Sequence, residues 1–238
     1  MFANGFGEWR FDLDDVREEI ALRGFVNLRS APSAYALTEV AASVGLVTGA
    51  SSIGVVTLEG EGSPTWLPRH TESLTYPETE LLQCFALGCL LPSPEGGATC
   101  LYDSRQAAKA LVAELPDLLG VSMRYWSTIY RNQEATHPLI WDDPDYGRVL
   151  RYRSQVHTNT VLNLPQGMTE QQFYQAAERA LDGSLVLVHV WRPGDLLLVN
   201  NRFMIHTRQP YVGKRTMLRL RYDDPHFRTV ELHREKAA

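Results

Sequence analysis

Apolar residues recur at helical spacing over 13–23, and Gly24 follows as a left-handed stop before the apolar run 25–28, which predicts a helix and then a strand. A second amphipathic stretch over 33–44 predicts another helix, ended by Gly45, and 53–58 reads as β-rich. The pattern breaks between 59 and 79, a polar segment holding Gly60, Gly62, Pro64, Pro68 and Pro77. It reads as a loop or a strand edge around the triplet His70-Thr71-Glu72. Beyond it, 81–91 and 99–102 predict strands joined by the turn Pro92-Ser93-Pro94-Glu95-Gly96-Gly97, with a helix over 104–115 after them. Further strands are expected at 122–131, 148–154 and 185–191, with a helix over 170–181 among them. Pro193-Gly194-Asp195 turns the chain into a strand at 196–199, and a last strand at 216–222 precedes a charged tail.

Many short strands, decorated loops and few helices predict a mainly β fold with flanking helices, best a double-stranded β-helix (jelly roll) core rather than a parallel sheet. No Gly-X-Gly-X-X-Gly follows a strand and no phosphate loop ends in Gly-Lys-Ser or Gly-Lys-Thr, so a nucleotide fold is disfavoured. The 238 residues, without repeat or linker, fit one domain over 1–238. Composition narrows the function class. With 44% hydrophobic and 21% charged residues, and no apolar run near the roughly 20 residues that span a bilayer, a membrane is not expected as partner. Residues 1–10 carry Glu8 and lack the pattern of a secretory signal, which makes the cytoplasm the expected compartment. The net charge is -5 and the basic residues are scattered, which argues against nucleic acid as a partner. Cys84, Cys89 and Cys100 form no Cys-X-X-Cys pair and sit in apolar stretches, so they read as buried reduced thiols.

The chemistry concentrates at His70 and Glu72. One residue apart, they share a face if the stretch is extended, and an imidazole with a carboxylate suits a metal. A second imidazole completes a two-His-one-carboxylate triad with three open positions for a 2-oxo acid and dioxygen, and His206 is the candidate. His157, in a polar segment after a strand, competes for that place. His137 reads as a loop residue, His189 lies in an apolar strand, and His226 and His233 fall near the tail. Arg215 and Arg219 are four apart, so on a strand they project one way and offer two cationic forks to an interior carboxylate. Arg221 shares that strand and is expected to point elsewhere or to pair with Asp223.

Four spaced pieces resemble the taurine dioxygenase and clavaminate synthase superfamily of iron(II) and 2-oxoglutarate dependent oxygenases. Arg69-His70-Thr71-Glu72 is similar to its His-X-Asp or His-X-Glu, and Pro94-Glu95-Gly96-Gly97-Ala98-Thr99 to its Gly-Gly-X-Thr turn. Thr136-His137-Pro138-Leu139 with Gly147-Arg148-Val149-Leu150 resembles its His-Pro and Gly-Arg region. Pro193-Gly194-Asp195 through Asn200-Asn201-Arg202 and His206 to Arg215 and Arg219 is similar to its Gly-Asp, Asn-Arg, distal His and Arg pair. The pieces span about 65 to 223, in the family's order. The resemblance implies iron held by His70, Glu72 and His206, and 2-oxoglutarate contacted by Thr99 and by Arg215 as the clamp of its distal carboxylate. Arg219 would lie toward its metal-bound end or the substrate. Two departures stand out: Asn200 where the family often has Asp, and a His206 to Arg215 interval shorter than in taurine dioxygenase itself.

The resemblance implies oxidative decarboxylation of 2-oxoglutarate by O2, with hydroxylation, desaturation or ring closure of an amino-acid-like or specialised-metabolite small molecule. Glu72 as a carboxylate ligand argues against halogenation. Trp66, Tyr76, Tyr130, Arg151, Arg153, His157 and Asn159 flank the metal loop or the strand before it and are candidates for the substrate pocket. A homo-oligomer is compatible with the sequence. A cupin-like metalloenzyme without 2-oxoglutarate and a non-catalytic jelly-roll binding module are the alternatives, discriminated by whether Thr99, Arg215 and Arg219 are dispensable.

Overall fold

Asp12 starts the first helix: its side chain accepts a 2.8 Å hydrogen bond from the Asp14 amide, and α1 runs over Leu13–Leu22. Gly24, at φ +84°, turns the chain abruptly into β1 (Phe25–Leu28), where any Cβ would strike the side chains of Met204 and Phe203. The computed structural model describes residues 12–29, 34–47, 49–127, 133–154, 159–225 and 229–231.

The second helix, α2 (Ala34–Val47), does not end at Gly45. Gly45 stays helical, and its carbonyl accepts from the Ala50 amide at 2.9 Å across Gly49, which has φ +86°. That six-residue closure is a Schellman cap, so Gly49 supplies the left-handed stop. The segment after 59 departs from expectation in the same way. The strand β2 (Ser52–Ser63) runs through Gly60 and Gly62, because it pairs along its length with β15 (Tyr211–Tyr222). A Cβ at Gly60 would collide with the Tyr211 hydroxyl, so glycine marks a close approach there rather than a loop.

The remaining strands are β3 (Leu67–His70), β4 (Cys84–Leu91), β5 (Glu95–Gly96), β6 (Thr99–Asp103), β7 (Ser122–Trp126), β8 (Glu134–Pro138), β9 (Ile140–Asp143) and β10 (Gly147–Leu150). After them come β11 (Thr160–Leu162), β12 (Leu185–His189), β13 (Leu196–Asn200), β14 (Met204–Arg208) and β16 (Thr229–Glu231). The helices α3 (Ser104–Glu114) and α4 (Glu170–Asp182) complete the set, α4 opened by a Thr169–Gln172 capping box. The strand expected over 148–154 stops at Leu150, and only Arg153 resumes pairing, as an isolated bridge.

Two antiparallel sheets form the jelly roll. The larger has the order β1-β13-β4-β15-β2-β16 with β5 on β15, and the smaller is β12-β6-β14-β3. Between them lie Phe25, Phe85, Leu101, Leu197, Val199, Met204 and Met217. The outer face of the large sheet sends Ala86, Leu196, Leu198, Leu218 and Leu220 against Val16, Ile20, Leu37 and Ala41 of the first two helices. The outer face of the small sheet packs Cys100, Tyr102 and Ile205 under α3 and α4. Because β13 is covered on both sides, it reads Leu-Leu-Leu-Val without polar alternation. All three cysteines are buried free thiols, and burial raises the pKa of Cys84 and of Cys89 to about 12. No helix among the described residues is long and apolar enough to cross a membrane.

Candidate metal centre

The centre lies where the edge of the small sheet meets the loop after it. β14, which the apolar pattern does not reveal, pairs with β3 so that His206 stands directly opposite His70. Opposed residues on neighbouring strands share a face, and the two imidazole centroids are 4.2 Å apart. Nδ1 of His70 lies 2.8 Å from the Pro68 carbonyl; donating that proton leaves Nε2 with its lone pair. Glu72 lies just past the end of β3, with Oε1 3.8 Å from His70 Nε2 and 3.7 Å from His206 Nε2. One ligand atom from each of His70, Glu72 and His206 falls within 4.8 Å of the others.

Asn201 pins the carboxylate's backbone. Its Oδ1 accepts from the Glu72 amide at 2.9 Å, while its Nδ2 donates to the carbonyls of Glu72 at 3.2 Å and Leu82 at 2.7 Å. The sequence marks Asn201 as part of an Asn-Arg pair but shows no role for it. Asn200, where the family often has Asp, uses Oδ1 to accept from the Arg202 amide at 3.0 Å, a bond a carboxylate would also make. Replacing Asn201 by alanine should leave buried carbonyls unpaired and free the Glu72 loop. Metal affinity is expected to fall by about 10- to 100-fold in a calorimetric titration.

Burial by itself pushes the Glu72 carboxyl up, but the neighbouring His70 and the charge of Arg219 hold it well below the usual carboxylate range. Burial, then the neighbouring His70, lowers the His206 pKa to about 3, so its ring is neutral and free to ligate at neutral pH. Arg219 Nη1 and Arg221 Nη2 approach Glu72 at 3.7 Å and 3.8 Å. Arg221 therefore points the same way as Arg215 and Arg219, as strand parity requires. Its closest carboxylate is Asp224 at 2.8 Å, whereas Asp223 accepts from the Ser51 and Ser52 amides. Tyr76 is buried under Arg221, its hydroxyl 3.4 Å from Nη1, and burial raises its pKa to about 12.

Arg215 reaches the Gly96–Gly97 turn, and Thr99 opens β6 just after it. Arg215 is 8% exposed, donates to the Gly97 carbonyl at 3.3 Å, and makes no ion pair among the described residues. Burial, then the charge of Arg208, lowers its pKa. Gly97, at φ +76°, leaves room there: a Cβ would sit 2.6 Å from Ser93 Oγ and 3.4 Å from Arg215 Nη1. Thr99 is buried, and its hydroxyl accepts from the Trp191 indole at 3.1 Å while keeping its own proton to donate.

The other pocket candidates have these places. Trp66 is 51% exposed between β2 and β3. Arg151 forks onto Glu78 at 2.5 Å and 2.7 Å. Asn159 is buried and gives its amide to the Trp126 carbonyl. Arg153 bridges to His70. His137 is not a loop residue: it is buried in β8, where its ring meets the Tyr76 carbonyl at 3.0 Å. His189 is buried 3.3 Å from Asp195. Tyr130, His157, His226 and His233 lie outside the described residues.

The family model for "Taurine catabolism dioxygenase TauD, TfdA family" matches residues 8–221. The chain belongs to this dioxygenase family. No curated protein sequence matches it significantly. Among solved structures, PvcB of Pseudomonas aeruginosa superposes with TM-score 0.71 at 16% identity, covering 94% of this chain and 86% of that one. A taurine dioxygenase of Burkholderia xenovorans gives 0.70 at 19% identity, covering 96% and 88%. AAD-2, solved with Mn(II) and N-oxalylglycine, gives 0.65 at 17% identity, covering 88% and 86%. At these identities the structures share the fold with this chain. As a member of the TauD/TfdA family the chain is an iron(II) and 2-oxoglutarate dependent dioxygenase.

The three donors suit iron(II). One donor atom from each lies within 4.8 Å of the others, close enough for a single ion to be shared among them. Two neutral imidazoles and one carboxylate are the donor set of the facial triad.

Burial also sets a pH dependence. It lowers the pKa of His137, His189 and His206, so the native protein refuses protons that an unfolded chain takes up near pH 6.5. Stability of the metal-free protein is therefore full above that pH and lost as pH falls through it. Three such groups at about 1.4 kcal/mol each give a slope of at most about 4 kcal/mol per pH unit. The urea midpoint should drop sharply from pH 7 to pH 5, and His189→Gln should flatten the fall.

Proposed function

We propose that this dioxygenase hydroxylates, desaturates or cyclises an amino-acid-like or specialised-metabolite small molecule, releasing succinate and CO2, with the whole chain forming one oxygenase domain. The observation that carries the reading is the convergence of His70, Glu72 and His206 on one point, with a buried Arg215 that makes no ion pair among the described residues on the same strand as Arg219, which approaches Glu72. When bound, iron(II) would activate dioxygen, which is the oxidant, with 2-oxoglutarate giving two electrons as it becomes succinate and CO2 and the substrate giving the other two. His70 is oriented by its bond to the Pro68 carbonyl, and Asn201 fixes Glu72 from behind. Arg215 receives the distal carboxylate of 2-oxoglutarate, with the Thr99 hydroxyl donating beside it. Arg219 lies nearer the metal ligands, 3.7 Å from Glu72, and balances charge there. Burial of His206, Thr99 and Arg215 lowers the local dielectric and strengthens the charge interactions they make. The scattered basic residues and the net charge of -5 fit a small molecule as the partner rather than nucleic acid; self-association is left to sizing by light scattering.

The test is succinate formation from 2-oxoglutarate by purified protein, screened against amino acids and related metabolites. Chelator treatment is expected to abolish it, iron(II) to restore it and zinc(II) not to. Activity surviving exhaustive metal removal would refute the reading.

A further inference from the structure

Several arginines around the metal centre have carboxylates, whereas Arg153, Arg208 and Arg215 make no ion pair among the described residues. Arg69 pairs with Glu178 at 2.8 Å and Asp182 at 2.5 Å, Arg151 with Glu78 at 2.5 Å, Arg202 with Asp143 at 2.5 Å, and Arg221 with Asp224 at 2.8 Å. Arg153 makes no ion pair among the described residues, and its buried Nε has no hydrogen-bond partner there. Its place makes that omission informative. The bonds flanking its bridge to His70, from the Thr71 amide to the Tyr152 carbonyl at 2.9 Å and from the Ser154 amide to the Arg69 carbonyl at 3.0 Å, identify a non-hydrogen-bonded antiparallel pair. In such a pair the Cα atoms stand about 4.5 Å apart and the side chains leave on the same face at their closest. Arg153 therefore projects from the face of the sheet that carries the metal-side imidazole. The charge of Glu72 acts on it, but that carboxylate already lies within 3.8 Å of His70, His206, Arg219 and Arg221.

A half-buried cation without a counterion is costly, and the ligand that offsets it is an anion. We propose that Arg153 receives a carboxylate of the primary substrate, which is thus an organic carboxylate. This rests on the oxygenase reading, in which the cosubstrate's free carboxylate goes to Arg215. Arg208, which donates to Ser63 Oγ at 2.8 Å and the Thr65 carbonyl at 3.4 Å, acts on Arg215 and stays on the cosubstrate side. Arg153 remains to meet a second anion, and its planar fork matches a carboxylate bidentately.

The test uses the protein loaded with iron(II) and 2-oxoglutarate without oxygen, titrated at constant ionic strength with acetate, methanesulfonate or acetamide. The visible metal-to-cosubstrate band and the melting temperature are followed together. Acetate is expected to perturb both saturably in wild type, to bind at least about tenfold more weakly to Arg153→Gln, and to recover in part in Arg153→Lys. Methanesulfonate should act more weakly and acetamide not at all. No acetate response in wild type, an equal response in Arg153→Gln, or a preference for methanesulfonate overturns the proposal. The band itself forms in both proteins if the oxygenase reading holds. Should it fail to form, that reading falls, while the Arg153 dependence of the acetate melting shift still decides the anchor.

Discussion

Glu72→Ala is expected to lose stoichiometric iron(II) binding and to lower succinate formation by about a thousandfold or more, beyond the 10- to 100-fold typical of residues that merely support a ligand. Two imidazoles without the carboxylate hold a divalent ion poorly, and His70 and His206 are neutral donors that offset none of its charge. The same change also removes a carboxylate 3.7 Å from Arg219 and 3.8 Å from Arg221, the latter keeping Asp224 at 2.8 Å. Breaking a buried charge cluster on one side costs about 3–5 kcal/mol when no water replaces the partner. Glu72 is 12% exposed, so the metal-free variant should also melt lower than metal-free wild type. Glu72→Gln separates the effects, since it keeps the volume and loses the charge. Iron content after desalting and calorimetric unfolding measure both; unchanged iron content would remove Glu72 from the ligand set.

Arg215→Ala should act on the cosubstrate alone. Losing hydrogen bonds to a carboxylate costs about 1.5–3 kcal/mol, so KM for 2-oxoglutarate should rise by about 10- to 150-fold, with kcat largely kept at saturation. The sign of the stability effect discriminates. Arg215 has one bond to the Gly97 carbonyl and makes no ion pair among the described residues, so removing it relieves an uncompensated buried cation. Melting of the cosubstrate-free variant is expected to be unchanged or higher. A lowered melting point with an unaltered KM would make Arg215 a structural residue, and Arg215→Lys should recover part of the KM loss.

Several features of this site are legible in the sequence for physical reasons. His70 and Glu72 stand one residue apart, and Arg215, Arg219 and Arg221 share strand parity, so their faces follow from a period of two. Parity also shows where the expectation for Arg221 goes astray: it projects with its neighbours, and its counterion is Asp224, across the turn after the strand. β3 is the edge strand that the sequence leaves open beside a loop: Pro68 and polar neighbours mimic a loop, and an edge strand tolerates a proline that has no amide to donate. Gly45 and Gly60 mislead in the same manner, since glycine marks either a left-handed turn or a close approach, and only Gly49 and Tyr211 decide which. Asn201 and Arg153 take their meaning from partners 129 residues away at Glu72 and across the bridge at His70, which no local pattern carries.

The most direct measurement adds 2-oxoglutarate to anaerobic, iron(II)-loaded protein and records the visible charge-transfer absorption of the chelate, with His206→Ala beside it. A band that saturates at one equivalent of iron in wild type and is lost in His206→Ala is the expected result. Folded, iron-loaded wild type without a band, or a band undiminished in His206→Ala, would contradict a centre built from His70, Glu72 and His206.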